Sequence, residues 1–153
     1  MSTKIDTYLA GVAELREAVK GMSRDQLLAR PIEGRWSTLE VVCHLVDSEV
    51  AWTHRMKRAI AEDRPLLIGY DETRLAERLG YHDSEVEEEL ELFDRLRTQM
   101  AKILRRLPSD AWSRQGVHNE RGLVSLEEMV QIETDHVEHH LNHVATKRRA
   151  LGL

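Results

Sequence analysis

Four of the chain's eight histidines, His136, His139, His140 and His143, fall in one short stretch near its C-terminal end. Histidine is a mediocre helix former, so this clustering asks for a chemical reason. His136 and His140 are spaced i, i+4, and so are His139 and His143. At that spacing two imidazoles share one helical face, with Cβ atoms about 5–6 Å apart. Two such rings suit a single transition-metal ion, with a third ligand supplied from elsewhere. The best third candidate is His44, inside another strongly helical stretch. The expectation is a metal site formed by His44, His136 and His140.

The choice between the two histidine pairs follows from the helical wheel. With His136 at 0°, His140 falls at roughly 40°, His143 at roughly −20° and His139 at roughly −60°. Leu126, Met129, Val137 and Val144 occupy an arc of roughly 20° to 100° on the same wheel. Metal sites in helical bundles are built from inward-projecting side chains, so the 136/140 pair is preferred. His143 is the alternative ligand. A ligand imidazole must be neutral, so binding is expected to weaken below about pH 6.

Other reactive residue types take plainer readings. Glu133 lies inside the apolar arc, one turn before His136. It is either an acceptor for a ligand imidazole or a further ligand, or else a partly exposed boundary residue, and the boundary reading is preferred. Glu49 is expected to form a structural ion pair with an arginine. Cys43 adjoins His44 but points about 100° away, so it is expected to be a packed thiol, not a nucleophile. His54, His82 and His118 are expected to be solvated or capping residues. Trp36, Trp52 and Trp112 are expected to anchor core or loops. No glycine-rich phosphate loop, CxxC pair or Ser-His-Asp pattern is present.

Four long amphipathic helices must position these residues. Ile5, Leu9, Val12, Leu15 and Val19 recur at three- and four-residue steps, predicting a helix over about 3–20 that Gly21 stops. Ser23 to Gln26 is a capping box for a short turn ending near Ala29. Ser37 to Glu40 is another, opening a helix over about 38–62 that carries His44. Residues 64–83 are irregular, with a short helix from Tyr70–Glu72 to Leu79. Ser84 is expected to cap a third long helix with core positions Val86, Leu90, Phe93, Leu96, Met100, Ile103 and Leu107. A polar connection follows, and Ser125 to Glu128 forms a third capping box for a helix over about 126–149. Strand-like alternation is nearly absent, so the expected fold is all-α, a four-helix bundle in a single domain spanning 1–153.

Bulk properties narrow the class. The chain has 153 residues and a net charge of −5 with histidine neutral, so nucleic acid is not an expected partner. The single cysteine permits no internal disulfide, which fits a reducing cytoplasm. No apolar run approaches the ~20 residues of a membrane span, and the N-terminal residues lack a signal-peptide core. Apolar residues on several helix faces suggest a twofold interface, hence a homodimer.

Three motifs together carry a family resemblance. Arg35-Trp36-Ser37, followed by His44-Leu45 and Glu49, resembles the second-helix motif of the DinB/YfiT-like superfamily. Leu107-Pro108-Ser109-Asp110-Ala111-Trp112, then Val124-Ser125-Leu126-Glu127-Glu128, resembles that family's approach to its last helix. Asp135-His136-Val137-Glu138-His139-His140-Leu141 is similar to its His-x-x-x-His motif. The resemblance implies a four-helix bundle, frequent dimerisation, and a divalent ion, usually zinc or nickel, held by three histidines at His44, His136 and His140. His143 stands where relatives often carry glutamine.

The resemblance also implies a small-molecule enzyme, since characterised relatives include S-transferases and isomerases using mycothiol, bacillithiol or glutathione. Three neutral imidazoles leave at least one coordination position open, the mark of a catalytic site. The leading expectation is transfer of a low-molecular-weight thiol to a small electrophile. The alternatives are a metal-dependent hydrolase and a non-enzymatic, stress-related helical binding module.

Overall fold

The computed structural model describes residues 2–153, and its helices begin where local chemistry starts them. Helix α1 spans Ser2–Val19, α2 Arg24–Leu28 and α3 Thr38–Ala61. Strand β1 spans Leu66–Leu67, α4 Glu72–Arg78 and α5 Val86–Leu104. Strands β2 (Gln115–His118) and β3 (Gly122–Ser125) lead into α6, Leu126–Ala150. Single 3₁₀ turns occupy Tyr81–Asp83 and Ser109–Ser113. All three expected capping boxes form: Ser23, Ser37 and Ser125 each accept the N3 backbone N–H, and Gln26, Glu40 and Glu128 reach back. Each satisfies two otherwise orphaned donors at a helix start.

Two local expectations are corrected. Ser84 does not cap α5; Glu85 holds the cap position without a side-chain bond. Ser84 instead closes the preceding 3₁₀ turn, and its carbonyl accepts from Arg24 Nη1 at 2.5 Å. A small sheet also forms, in the order β1-β2-β3, with β1 parallel to β2 and β2 antiparallel to β3. Strands of two to four residues are too short to show alternation. The sheet also depends on close backbone approach, because a Cβ on Gly116 would stand 2.5 Å from Leu67 Cδ1.

The four long helices form a bundle in which α1 and α3 each pack against both α5 and α6. Its core has two apolar halves. One holds Leu15, Leu39, Leu45, Phe93, Val137 and Val144. The other holds Ile5, Met56, Met100, Leu104, Leu126 and Met129. Along α3, α5 and α6 a polar layer of Glu49, Arg97 and Glu133 falls between those halves.

Arg97, on α5, is fully buried and reaches the other three long helices. Its Nε donates to Glu49 Oε2 at 2.7 Å, its Nη1 to the Tyr8 carbonyl at 2.5 Å and its Nη2 to the Glu133 carbonyl at 2.8 Å. The guanidinium also lies over the rings of Tyr8 and Phe93, 4.3 and 4.6 Å from their centroids. The Tyr8 hydroxyl donates to Glu49 Oε1. Glu49 therefore does pair with an arginine, as expected. Gly11 makes room for the layer, since a Cβ there would stand 2.6 Å from Arg97 Nη1.

Removing one partner of a buried, hydrogen-bonded ion pair typically costs ~3–5 kcal/mol. Arg97→Ala is expected to lose about that much in urea unfolding. Arg97→Met combined with Glu49→Leu should recover part of it, because no buried charge is then left alone. Equal losses for the single and double variants would contradict this account.

Candidate metal centre

α3 and α6 carry the histidines, and their packing brings His44, His136 and His140 into one cluster. One ligand-capable atom from each lies within 4.8 Å of the other two. His136 Nε2 is 3.0 Å from His44 Nε2 and 3.0 Å from His140 Nε2. Nitrogens held tetrahedrally at about 2.0–2.1 Å from one zinc-type ion would stand about 3.3 Å apart, so these two spacings are close to those of rings that share one ion. His139 and His143 pack against each other instead, tilted with centroids 4.5 Å apart, and lie outside the cluster.

The other side of the His136 ring supports the same fit. Nδ1 of His136 and Nδ1 of His140 are buried without a protein hydrogen-bond partner. His136 Nδ1 faces Glu133 Oε1 at 3.8 Å, with the carboxyl held in place by the Ser48 hydroxyl, which donates to Oε1 at 3.0 Å. An imidazole that binds a metal through Nε2 carries its proton on Nδ1 and turns it toward such an acceptor.

Glu133 corrects the sequence reading, which preferred a partly exposed boundary. It is 1 % exposed, and burial together with the nearby Glu49 carboxylate pushes its pKa well up. The helical wheel placed it in the apolar arc correctly. That a buried acid belongs there became clear only with Arg97 and Ser48 around it.

Burial holds the imidazoles neutral. His136 is pushed down to about 3 by desolvation and then by His44, and His140 to about 2 by desolvation and then by His136. His44 is lowered by desolvation, against the pull of Glu72 and Asp47. Desolvation is thus the leading cause that disfavours protonation at all three rings.

The remaining residues sort as follows. Cys43 is buried with its thiol pushed up to about 12, chiefly by desolvation, so it is no nucleophile. His54 is exposed, and His82 is exposed beside Glu40 at 3.0 Å. His118 is buried, not solvated: it stacks on Trp52, and its Nδ1 accepts the Glu120 N–H. Trp52 and Trp112 are core residues, while Trp36 packs tilted against the His44 ring, 5.0 Å away. Glu72 was missed. It starts α4, and its Oε2 stands 3.7 Å from His44 Nε2. Nothing in the local sequence separates it from any acidic residue in a helix's first turn.

Two clefts meet at the cluster. One, of about 390 Å³, runs past Ser48, Trp52, Arg55, Tyr70 and His118. The other, of about 370 Å³, lies between residues 34–36 and α6, lined by Trp36, His140, His143 and Lys147. Glu72, His136 and His139 line both.

The architecture and site define a helical bundle with a three-histidine cluster at the meeting of two clefts. The chain belongs to the DinB superfamily, whose family model matches residues 8–144. It is 31% identical over 132 residues to an Oceanobacillus iheyensis protein named for an inferred metal-dependent hydrolase activity, covering 86% of this chain and 76% of that one. It is 28% identical over 141 residues to YfiT of Bacillus subtilis, covering 92% of this chain and 79% of YfiT. The solved structure of YfiT, described as a probable metal-dependent hydrolase of unusual four-helix-bundle topology, superposes with a TM-score of 0.93 and covers 99% of this chain and 87% of that one at 26% identity. A mycothiol-dependent maleylpyruvate isomerase shares the fold, with a TM-score of 0.73 at 15% identity over 92% of this chain and 58% of that one. No described helix is long and apolar enough to cross a membrane.

Two predictions follow from this geometry. Purified protein is expected to hold about one divalent ion per chain, measured by elemental analysis without a histidine tag. His44→Ala, His136→Ala and His140→Ala should each abolish binding, and His54→Ala and His82→Ala should leave it intact. Retention by His136→Ala together with loss in His143→Ala would assign the ligands differently.

The second concerns acid. Below about pH 6.5 the unfolded chain protonates its histidines while folded His140 stays neutral. The folded state then binds fewer protons, so stability falls as pH falls. His140→Leu removes that penalty. The stability of metal-free wild type relative to this variant should drop by up to about 1.4 kcal/mol per pH unit between roughly pH 6 and 4. A pH-independent difference would show that His140 is not held neutral.

Proposed function

We propose that this chain is a metal-dependent enzyme that transfers a low-molecular-weight thiol to a small electrophile. The observation that carries the reading is the meeting of two separate clefts at one three-histidine cluster. A transfer reaction has two substrates to seat, and both clefts reach the cluster at His136.

His44, His136 and His140 would hold the ion through Nε2, and Glu133 would keep the His136 ring oriented from behind. A divalent ion in that setting supplies a Lewis acid with open positions, able to lower the pKa of a thiol or a water at neutral pH. The chain's own contribution is placement. One cleft seats the thiol compound and the other the electrophile, so sulfur and carbon meet at the cluster, a proximity effect. Glu72 stands where it can take the thiol proton or pass it to water. The sulfur's electron pair then forms the bond to carbon. The leaving group departs with its own pair or, in an addition, the adjacent atom takes up the proton. Cys43 offers no competing protein nucleophile, because its protonated thiol is buried.

A second reading, hydrolysis, is favoured by Glu72 and by the names of the relatives. A half-exposed carboxylate beside the cluster is a suitable general base for water. Glutathione, bacillithiol and mycothiol should each be tried with a model electrophile, and esters and amides without thiol, using wild type and His140→Ala. Thiol transfer is expected with at least one thiol and should disappear in His140→Ala. Glu72→Gln is expected to lower turnover by about 10²–10⁴-fold if Glu72 carries the proton. Metal-dependent ester or amide cleavage with no thiol transfer would replace this reading with hydrolysis.

A further inference from the structure

Lys147 lies two helical turns beyond His140 on α6 and is 3 % exposed. Its ammonium has neither a hydrogen bond nor an ion pair with any described residue, and desolvation, followed by Arg35, depresses its pKa. Buried lysines are rare unless paired. The acid nearest in influence is Glu40, and both of its oxygens are already engaged. Arg30 donates to both oxygens, His82 contacts Oε1 at 3.0 Å, and the Ser37 N–H donates to Oε2 at 2.7 Å. Lys147 instead lines the cleft that Arg35, Trp36, His140 and His143 share.

The two clefts differ in charge. The Lys147 cleft has one acidic residue in its wall, Glu72, and that carboxylate stands by His44. The other cleft also contains a buried cation, Arg55, but there Nη2 donates to the Ile68 carbonyl at 2.6 Å. Its wall adds Arg121, but sets Glu72, Glu120 and Asp135 against the two cations, besides the buried acid Glu133. An anion is therefore favoured in the first cleft and not in the second.

We infer that the cleft between residues 34–36 and α6 is a subsite for an anionic group, carboxylate or phosphate, of the compound that reacts at the three histidines, with Lys147 as its anchor and Arg35 as its second cation. The inference deepens the proposed function and rests on it for the reacting centre. Seven residues of helix separate His140 from Lys147, a rise of about 10 Å. The compound therefore carries its charge away from its reacting atom, toward the far end of the same cleft. Trp36 offers an apolar wall for the stretch between. A lone lysine binds such a group as a point charge without the fork geometry of arginine, so carboxylate and phosphate share this chemistry.

Binding to the full chain, stripped of metal so that no ion can capture the probe, tests this without turnover. The probes are S-methylglutathione, its diethyl ester and inorganic phosphate, titrated calorimetrically at low and high salt. S-methylglutathione or phosphate should bind and weaken with salt, and the diester should bind at least about tenfold more weakly than the diacid. Lys147→Met keeps the stem and removes the charge, and is expected to weaken binding about tenfold or more, with Lys147→Arg restoring most of it. Arg35→Gln alters an exposed side chain, leaves folding intact and should weaken binding severalfold, so the question is decided even if Lys147→Met folds poorly. Preference for S-methylglutathione identifies a carboxylate source, and preference for phosphate a phosphorylated one.

Failure of both anions to bind overturns the inference. Equal binding of diacid and diester overturns it too, as does binding unaffected by both cation substitutions. A failed thiol-transfer assay alongside Lys147-dependent anion binding would instead remove the proposed reaction and leave the subsite.

Discussion

The bundle is held in register by one guanidinium. Arg97 has no access to water, yet its donors meet acceptors on three other helices: a carboxylate on α3 and backbone carbonyls on α1 and α6. Apolar packing is indifferent to small slides of one helix along another, because hydrophobic contact is non-directional. Hydrogen bonds to a buried charge are directional, and costly to leave unmade. A slip of α6 relative to α3 would break the Arg97 bond to the Glu133 carbonyl, and the same slip would separate His136 from His44. The layer that fixes helix register thus also fixes the metal-ligand geometry.

That coupling explains why Glu133 sits where it does. Its carbonyl is bound to Arg97 and its carboxyl to Ser48, so it cannot turn away from His136 Nδ1. Complete burial, and then the adjacent Glu49 carboxylate already committed to Arg97 and Tyr8, disfavour a second full negative charge in the layer, and the raised pKa of Glu133 follows. The layer is no deeper stabiliser than a well-packed apolar one would be. What it contributes is a single arrangement of helices, on which three imidazole nitrogens can converge.

Around the cluster, burial does the work that charges do elsewhere. Desolvation alone is the leading cause that keeps His44, His136 and His140 unprotonated and ready to donate lone pairs. The same desolvation lowers the pKa of Lys147, which lines the neighbouring cleft. A wall that is apolar at Trp36 and cationic at Arg35 and Lys147 therefore adjoins a neutral, metal-competent centre.

The sequence by itself determined the elements and the ligand candidates, because both are written in short periods. Capping boxes at Ser23, Ser37 and Ser125 act within four residues, and the apolar stripes and the His136/His140 pair repeat with the helical turn. Even the preference for His136/His140 over His139/His143 came from a wheel, and the structure brings the former pair to His44. Only the tertiary structure decided what depends on contacts between distant segments. It supplied Arg97 as the partner of Glu49, buried Glu133, laid Glu72 beside His44 and stranded Lys147 in a cleft. It also paired Leu66 with Val117 and Leu67 with His118, with room for the Leu67 side chain over Gly116. Each of these depends on which helix faces meet, and a one-dimensional pattern records the face of a helix but not the face that packs against it.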